Sequence, residues 1–596
     1  MGGLQSRVEH MGSNKLLQRL ASPEHISVDD VFWNRLLLFE RRPFTLNEDE
    51  ILYEKCKNLC TMFAANNLRS GNFGSLLRVF LSKSSEVLVS AELDDGTCSL
   101  YTHNALLIIR HLLRHLIHKY PESEIIRQLE APGPSSVKKP DTEPMLVQLV
   151  DSLIDTIVHV PVRDATYNLH METTRTLLTL LSLSQFTVES SSALEVYRLI
   201  YQNRQAECFL LTLVSRLISQ HKQPEETGGS IILHIADFFG LFTPPTDPDS
   251  SPLARISVLL ITVLINHCLD GNNVYRNYLS CISDGMSDLF KSICYALDKE
   301  ETTLILYYLL HRNTSFRAFV LSRSDIPSLV LPMLRTIYRG SDNNCHHMYM
   351  SLIILLILTE DNVFNKKIHT TMIKNVSWYT DRNLTEISLG GLIILVTTRT
   401  VQYNLLKMRD EYLHTNCLAA LANMSSQFTE LHPYVCQRLI GLFEVLARTY
   451  NRANQELVAI ERALRIILEV LNSCLSNQLV HNTNLIYTLL YKKDIFETFR
   501  NNPAFQDIIH NLDQVMQYFT SKLDMEGESC NDVDTVSAVI VKAAHQWPTH
   551  RLQKFPELKF KYVEEEKPDE FFIPYVWSLV TQYSNIYWQT SLFRQH

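Results

Sequence analysis

The sequence predicts an all-α protein, an armadillo/HEAT-like helical-repeat superhelix without a clean consensus repeat, and three observations predict it. Glycine is scarce: 17 in 596 residues, under half of the roughly 7% found on average. Glycine breaks helices and supplies the tight turns that β-proteins need at high density. Apolar residues recur at helical spacing through most of the chain. The helical segments run about 15–20 residues between short polar breaks, so a pair with its turns fills about 40–47 residues, the length of an armadillo or HEAT unit. No motif repeats at a fixed period, so the expectation is repeat-like packing.

Taken in order, residues 1–20 read as a flexible tail and 21–120 as an N-terminal helical region. Residues 121–144 read as a linker rich in Pro, Ser and charge, followed by a helical region over 145–219. A Pro/Gly/Asp-rich loop occupies 220–252, where PEETGG and TPPTDPDSSP stop any helix, because proline removes a donor and clashes with the preceding turn. The central helical-repeat region spans 253–524. Within it Leu413, Cys417, Leu418, Leu421 and Met424 fall on one stripe. Leu439, Leu442, Phe443 and Leu446 make a second, and Ile460, Leu464, Ile467, Leu468 and Leu471 a third. Leu485, Leu489, Leu490, Ile495 and Phe496 continue the pattern less cleanly. Segments 352–358 and 392–396 are apolar all round, as interior helices are. The β-branched run 393–398 has strand character, but its surroundings favour helix. An acidic loop at 525–534 precedes a C-terminal helical cap over 535–596.

Composition excludes several classes. Hydrophobic residues make up 46% and charged residues 20%, ordinary for a globular chain. The net charge of −9 gives no basic domain of the kind that nucleic-acid binding needs. Twelve cysteines are spread thinly, as expected in a reducing compartment. Cys56 and Cys60 share a helix face but lack a second pair at metal-ligand spacing. The first twenty residues contain Arg7, Glu9, His10, Lys15 and Arg19, leaving no apolar signal core. The longest apolar runs, 348–358, 256–265 and 389–396, fall short of the roughly 18–20 residues that cross a bilayer. The sequons at Asn313, Asn375, Asn383 and Asn423 are then never presented for glycosylation.

No catalytic signature is present: no phosphate loop, nucleophile elbow, kinase set or HExxH pair. Residues 71–74 (GNFG) lack the strand a dinucleotide loop requires. His346 and His347 are adjacent, so their rings point to different helix faces. His414 and Asn416 start or pack a helix. The sequence therefore implies no catalytic residue, metal, cofactor or small-molecule substrate.

Two terminal segments carry recognition features. Met1–Ser6 fits M-G-x-x-x-[ST], the acceptor pattern for myristoylation of Gly2, with Ser6 and Arg7 as its context. One myristoyl chain partitions with a constant of only about 10⁴ M⁻¹, and the sparse Arg7, Lys15 and Arg19 are offset by Glu9. Attachment through it is reversible. Residues 551–580 interleave aromatics with Arg551, Lys554, Lys559, Lys561 and Glu564–Glu566. Phe571, Phe572, Tyr575 and Trp577 read either as a partner-binding strip or as a cap packed on the last helices, the reading favoured here.

Long strings in this sequence resemble a known family. They are SLIILLILTEDNVFN (351–365), residues 378–428 from WYTDRNLTEISLGG onward, and KFPELKFKYVEEEKPDEFFIPYVWSLV (554–580). FWNRLLLF (32–39), NNLRSGNFGSLLRVFLSK (66–83) and THNALLII (102–109) are similar too. All are similar to dymeclin, the Dyggve-Melchior-Clausen syndrome protein family, and the match runs in order along nearly the whole chain except 121–144 and 220–252. The resemblance implies a cytoplasmic, non-enzymatic protein, peripherally associated with the Golgi membrane. It further implies a role in Golgi organisation and in trafficking between endoplasmic reticulum and Golgi, a golgin-type partner, and myristoylation at Gly2. In vertebrates the family is tied to cartilage, bone and brain development. Two other classes compete: an integral membrane transport component using the apolar runs as spans, and a cryptic hydrolase or transferase.

Overall fold

The computed structural model describes residues 14–39, 45–89, 96–133, 143–223, 251–267, 272–340, 345–405, 410–452, 457–526, 532–548 and 551–593. These hold 27 α-helices and one two-stranded hairpin. The fold is all-α. Two compact units divide the chain: Met1–Ser292 together with Glu566–His596, and Ile293–Glu565. The boundaries cut across the expected regions. The 253–524 stretch is shared between the units, and so is the 535–596 cap.

Helix starts are written in short polar side chains. Thr45 and Glu48 form a reciprocal capping box at the head of Leu46–Ser70, with Glu48 Oε2 accepting from the Thr45 N–H at 3.0 Å. Ser251 Oγ accepts from the Ala254 N–H at 3.2 Å and Pro252 takes the first helical position of Pro252–Asn266. Asn273, Asn313, Asp361 and Asp410 cap other helices in the same way. Two glycines are required by geometry. Gly71 ends Leu46–Ser70 at φ 66°, the left-handed region. A Cβ on Gly390 would lie 2.4 Å from the His369 ring.

The expected stripes form helix faces of the second unit. Leu413, Cys417, Leu418, Leu421 and Met424 are buried within Glu411–Met424. Leu439, Leu442, Phe443 and Leu446 are buried within Pro433–Arg452. Ile460, Leu464, Ile467, Leu468 and Leu471 are buried in Leu457–Gln478. Leu490 and Ile495 are only half-buried, so the fourth stripe is weaker, as its pattern suggested. The β-branched 393–398 run lies inside the helix Leu389–Tyr403. Ahead of it Met372–Lys374 pairs antiparallel with Glu386–Ser388, Ile373 opposite Ile387.

The apolar runs are core helices. Leu352–Leu358 in Cys345–Thr359 and Ile256–Ile265 in Pro252–Asn266 are buried. Among the described residues no single helix is long and apolar enough to cross a membrane. One pair, Cys345–Thr359 and Asn362–Thr370, reaches the length only together and is bent by 103°. This argues against the integral transport reading. The 121–144 stretch, expected as linker, opens with the helix Glu122–Leu129, whose Ile125 and Leu129 are buried. The Glu122 carboxylate there accepts from the Glu195 and Val196 N–H groups at 2.9 and 3.0 Å. Residues 134–142, 224–250 and 527–531 of the three expected loops lie outside the described residues.

Candidate functional site

Gly2, Ser6 and Arg7 lie outside the described residues. The four C-terminal aromatics sit on the helix Pro568–Tyr583. Phe571 is 37% exposed, but Phe572, Tyr575 and Trp577 are buried at 4%, 3% and 1%. Trp577 donates its indole N–H to His267 Nε2 at 3.2 Å and packs edge-on to Trp588. Phe571 stands edge-on to Phe572 at 5.1 Å and lies against Tyr575 at 5.8 Å, so its part-exposed ring rests on buried ones. Three of the four pack into the first unit as a cap does.

The remaining candidates have structural surroundings. Cys56 and Cys60 form no disulfide with each other, and burial pushes the Cys60 thiol up to about 12. His346 is exposed while His347 is buried against Thr303 Oγ1 at 3.0 Å, and burial pulls its ring down to about 4. His414 Nδ1 lies 3.2 Å from the Asn404 carboxamide. The Asn416 side chain bonds the Tyr412 carbonyl one turn back. Among the described residues no three His, Cys, Asp or Glu side chains gather at metal-binding distance.

Two polar constellations organise the interior; the sequence reading missed the first altogether and, of the second, singled out the 551–580 segment but not the helix residues that receive it. The first lies in unit one. Arg110 and Arg114, one turn apart on Gly96–Ile117, meet Asp49 of Leu46–Ser70 and Glu172 of Asp164–Leu181. Arg110 Nε bonds Glu172, Arg114 Nη1 bonds Asp49, and Arg110 Nη2 reaches Asp49 Oδ1 at 3.4 Å. Arg175 lies 3.7 Å from Glu172 and His111 lies 3.6 Å from Asp49. Burial opposes ionisation of both carboxyls, but Arg114 and Arg110 hold Asp49, and Arg110 and Arg175 hold Glu172, below the usual carboxylate range. The C-terminal tail closes this cluster. The Tyr587 N–H donates to Asp49 Oδ2 at 2.8 Å, and Arg114 Nη1 donates to the Tyr587 carbonyl at 3.0 Å. Two arginines at i, i+4 inside the apolar string LLIIRHLLRHLI (106–117) were the available signal.

The second constellation lies in unit two, where an extended strap, Gln553–Glu564, crosses several helices without forming a helix or strand of its own. Asn511 of Gln506–Glu526 bonds both main-chain groups of Gln553, its amide donating to the carbonyl at 2.8 Å and its oxygen accepting from the N–H at 2.9 Å. Asn423 of Glu411–Met424 does the same to Phe560, at 2.9 and 2.7 Å. Glu360 Oε1 accepts from the Tyr562 N–H at 3.1 Å, while its other oxygen takes Arg317 at 2.8 Å. Glu564 is received by Arg312 and by the Tyr307 hydroxyl at 3.1 Å, with His311 Nε2 4.0 Å away. The Tyr562 ring stands edge-on to Tyr307 and His311.

Fold and sites together define an all-α protein whose buried polar groups attach its own C-terminal chain to its helices. The comparisons sharpen the class. A family model described as "Dymeclin: Dyggve-Melchior-Clausen syndrome protein" matches residues 1–579. Dymeclin from Drosophila melanogaster is 40% identical over 687 aligned positions, covering 99% of this chain and 98% of that protein. Dymeclin from Mus musculus is 39% identical, with 99% and 98% covered. Dymeclin from Dictyostelium discoideum is 25% identical over 96% of this chain and 79% of its own length. The chain belongs to the dymeclin family, which is not known as an enzyme family.

Proposed function

We propose that the chain is a non-enzymatic scaffold, peripherally associated with the Golgi membrane from the cytoplasm. In this reading it acts in Golgi organisation and intracellular vesicle trafficking, through protein partners that include a golgin. Gly2 carries a myristoyl chain that tethers it reversibly. The observation that carries the reading is family membership along residues 1–579, a span that includes the M-G-x-x-x-S start. One acyl chain without a basic patch gives marginal affinity, so a protein contact must complete the attachment.

The test is metabolic labelling with a myristate analogue, joined to fractionation of wild type and Gly2→Ala. Label on the wild type alone, and a shift of Gly2→Ala from Golgi membranes to cytosol, are expected. Full Golgi retention of unlabelled Gly2→Ala would remove the acyl chain as the main tether. Alkaline carbonate should release the wild-type protein from membranes, as it does not release a spanning one.

A further inference from the structure

We infer that the groove under Gln553–Glu564 is a reader of extended peptide whose resident occupant, the strap, exchanges for a partner segment of the same chemistry. That segment carries an aromatic residue, a tyrosine two positions on and a carboxylate two further on. The inference deepens the partner-binding part of the proposed function and does not depend on membrane attachment.

The argument begins with what holds the strap. A side-chain carboxamide offers one donor and one acceptor side by side, as the open edge of a β-strand does. Asn511 and Asn423 each apply that pair to the N–H and carbonyl of a single strap residue, Gln553 and Phe560. These contacts read main chain and are indifferent to the side chain at that position. The two residues they read, Gln553 and Phe560, lie seven positions apart in the strap. Both are held by the helices themselves. Asn423 is 1% exposed, and its side-chain amide also reaches Thr359 Oγ1 at 3.5 Å. The Asn511 amide also reaches Asn472 Oδ1 at 2.8 Å. Each thus has a side-chain partner on a helix besides the strap.

Specificity comes from the alternate residues. Phe560, Tyr562 and Glu564 are half-buried on the groove side, while Lys559, Lys561, Val563 and Glu565 are exposed. The groove accepts every second side chain, as strand geometry requires. Charge is complementary at one end only: Arg312 and the Tyr307 hydroxyl take the Glu564 carboxylate beside His311. Arg317 is already matched by Glu360, so the site takes one carboxylate. Between residues 551 and 565 no ladder or helix supports the strap. Segments held by a few side-chain bonds open at far lower cost than the core. The strap is thus an occupant whose hold on the groove is local and separable.

The experiment uses the full chain and a labelled peptide, LQKFPELKFKYVEE, copying residues 552–565, with binding read by fluorescence anisotropy. A chain whose strap is weakened by Tyr562→Ala and Glu564→Gln should bind the peptide at least tenfold tighter than wild type. Adding Asn423→Ala, or N-methylating the peptide at its Phe560 position, should weaken that binding at least tenfold. Equal binding by wild type and the strap variant would overturn the exchange. Indifference to the N-methyl group would overturn main-chain reading. Should the double variant lose its cooperative melt, Glu564→Gln alone is held to the same criteria.

Discussion

Tyr587 in the first unit and Phe560 in the second stand in the same relation to their surroundings and are held by opposite chemistry. Each is a residue outside helix and strand whose N–H and carbonyl are both bound by side chains from distant helices. Around Tyr587 these are Asp49 and Arg114, buried and charged. Around Phe560 both roles fall to the neutral carboxamide of Asn423. Buried charges must all be matched, so losing one leaves others stranded in a medium that solvates them poorly. A carboxamide lost from the strap strands nothing charged. The difference makes the tail of the first unit an integral part of its core, and the strap of the second a separable layer.

The sharpest way to break this contrast is Asp49→Ala. It leaves Arg110 and Arg114 buried with Glu172 as their remaining carboxylate, and should destabilise the first unit by about 3–5 kcal/mol, the usual result of removing one partner of a buried pair. Peptide-resolved hydrogen exchange should show faster exchange in 45–133 and 572–593 and little change in the second unit. Equal loosening of the two units would erase the distinction. Asp49→Asn keeps acceptor geometry for Tyr587 without the charge, and a loss as large as that of alanine would place the effect in charge alone.

Acid separates the units next. Burial pulls His118 and His170 of the first unit down to about 3, and His347 and His369 of the second to about 4. Each is held neutral in the fold, so both units should lose stability together as pH falls below about 6.5, where the unfolded histidines begin to charge. Asp49 and Glu172 act at lower pH. Their folded pKa values are depressed, so their contribution is complete above the unfolded values near about 4 and lost as pH falls further. Urea midpoints followed from pH 7 to pH 3 should fall in parallel at first, with the first unit falling faster below about 4. Parallel curves throughout would show that the cluster is not a stabilising one.

Smaller effects test the second half of the comparison. Asn423→Ala removes two hydrogen bonds to Phe560 and should cost about 1–3 kcal/mol. The strap should exchange roughly tenfold faster or more, while the cores of Pro433–Arg452 and Leu457–Gln478 hold their protection. Loss of protection across the whole unit would make the strap part of the core after all. Phe571→Ala removes a ring that is 37% exposed and rests on Phe572 and Tyr575, and should cost the first unit about 1 kcal/mol. Trp577→Ala, buried against His267 and Trp588, serves as its large-effect control.

The sequence made the helices legible because their signal is local. Leu413, Cys417, Leu421 and Met424 declare a face within fourteen residues, and Gly71 or Ser251 marks an end or a start within a turn. The closure of the first unit by 566–596 was illegible for the complementary reason. Asp49 is one acid among 64, and nothing near it in the chain points to Tyr587, 538 positions away. The strap was read by composition, as aromatics among charges, when its organising features are main-chain bonds from two asparagines on other helices and an alternating burial over 558–565. The 571–577 aromatics were grouped by nearness in sequence, which carries no sign that burial leaves only Phe571 part-exposed. Myristoylation at Gly2 remains a matter of six residues and the family they belong to.

The placement of Tyr587 between Asp49 and Arg114 also has a consequence in time. A ribosome adds about 5–20 residues per second. After residue 292 emerges, all of 293–565 must be made before the tail that completes the first unit exists. For tens of seconds the nascent first unit holds its arginines and carboxylates without their last backbone partners. A chaperone therefore has its longest opportunity at the earliest-synthesised half of this protein, and a message cut short before codon 566 yields a chain whose first unit lacks the segment that closes its charged cluster.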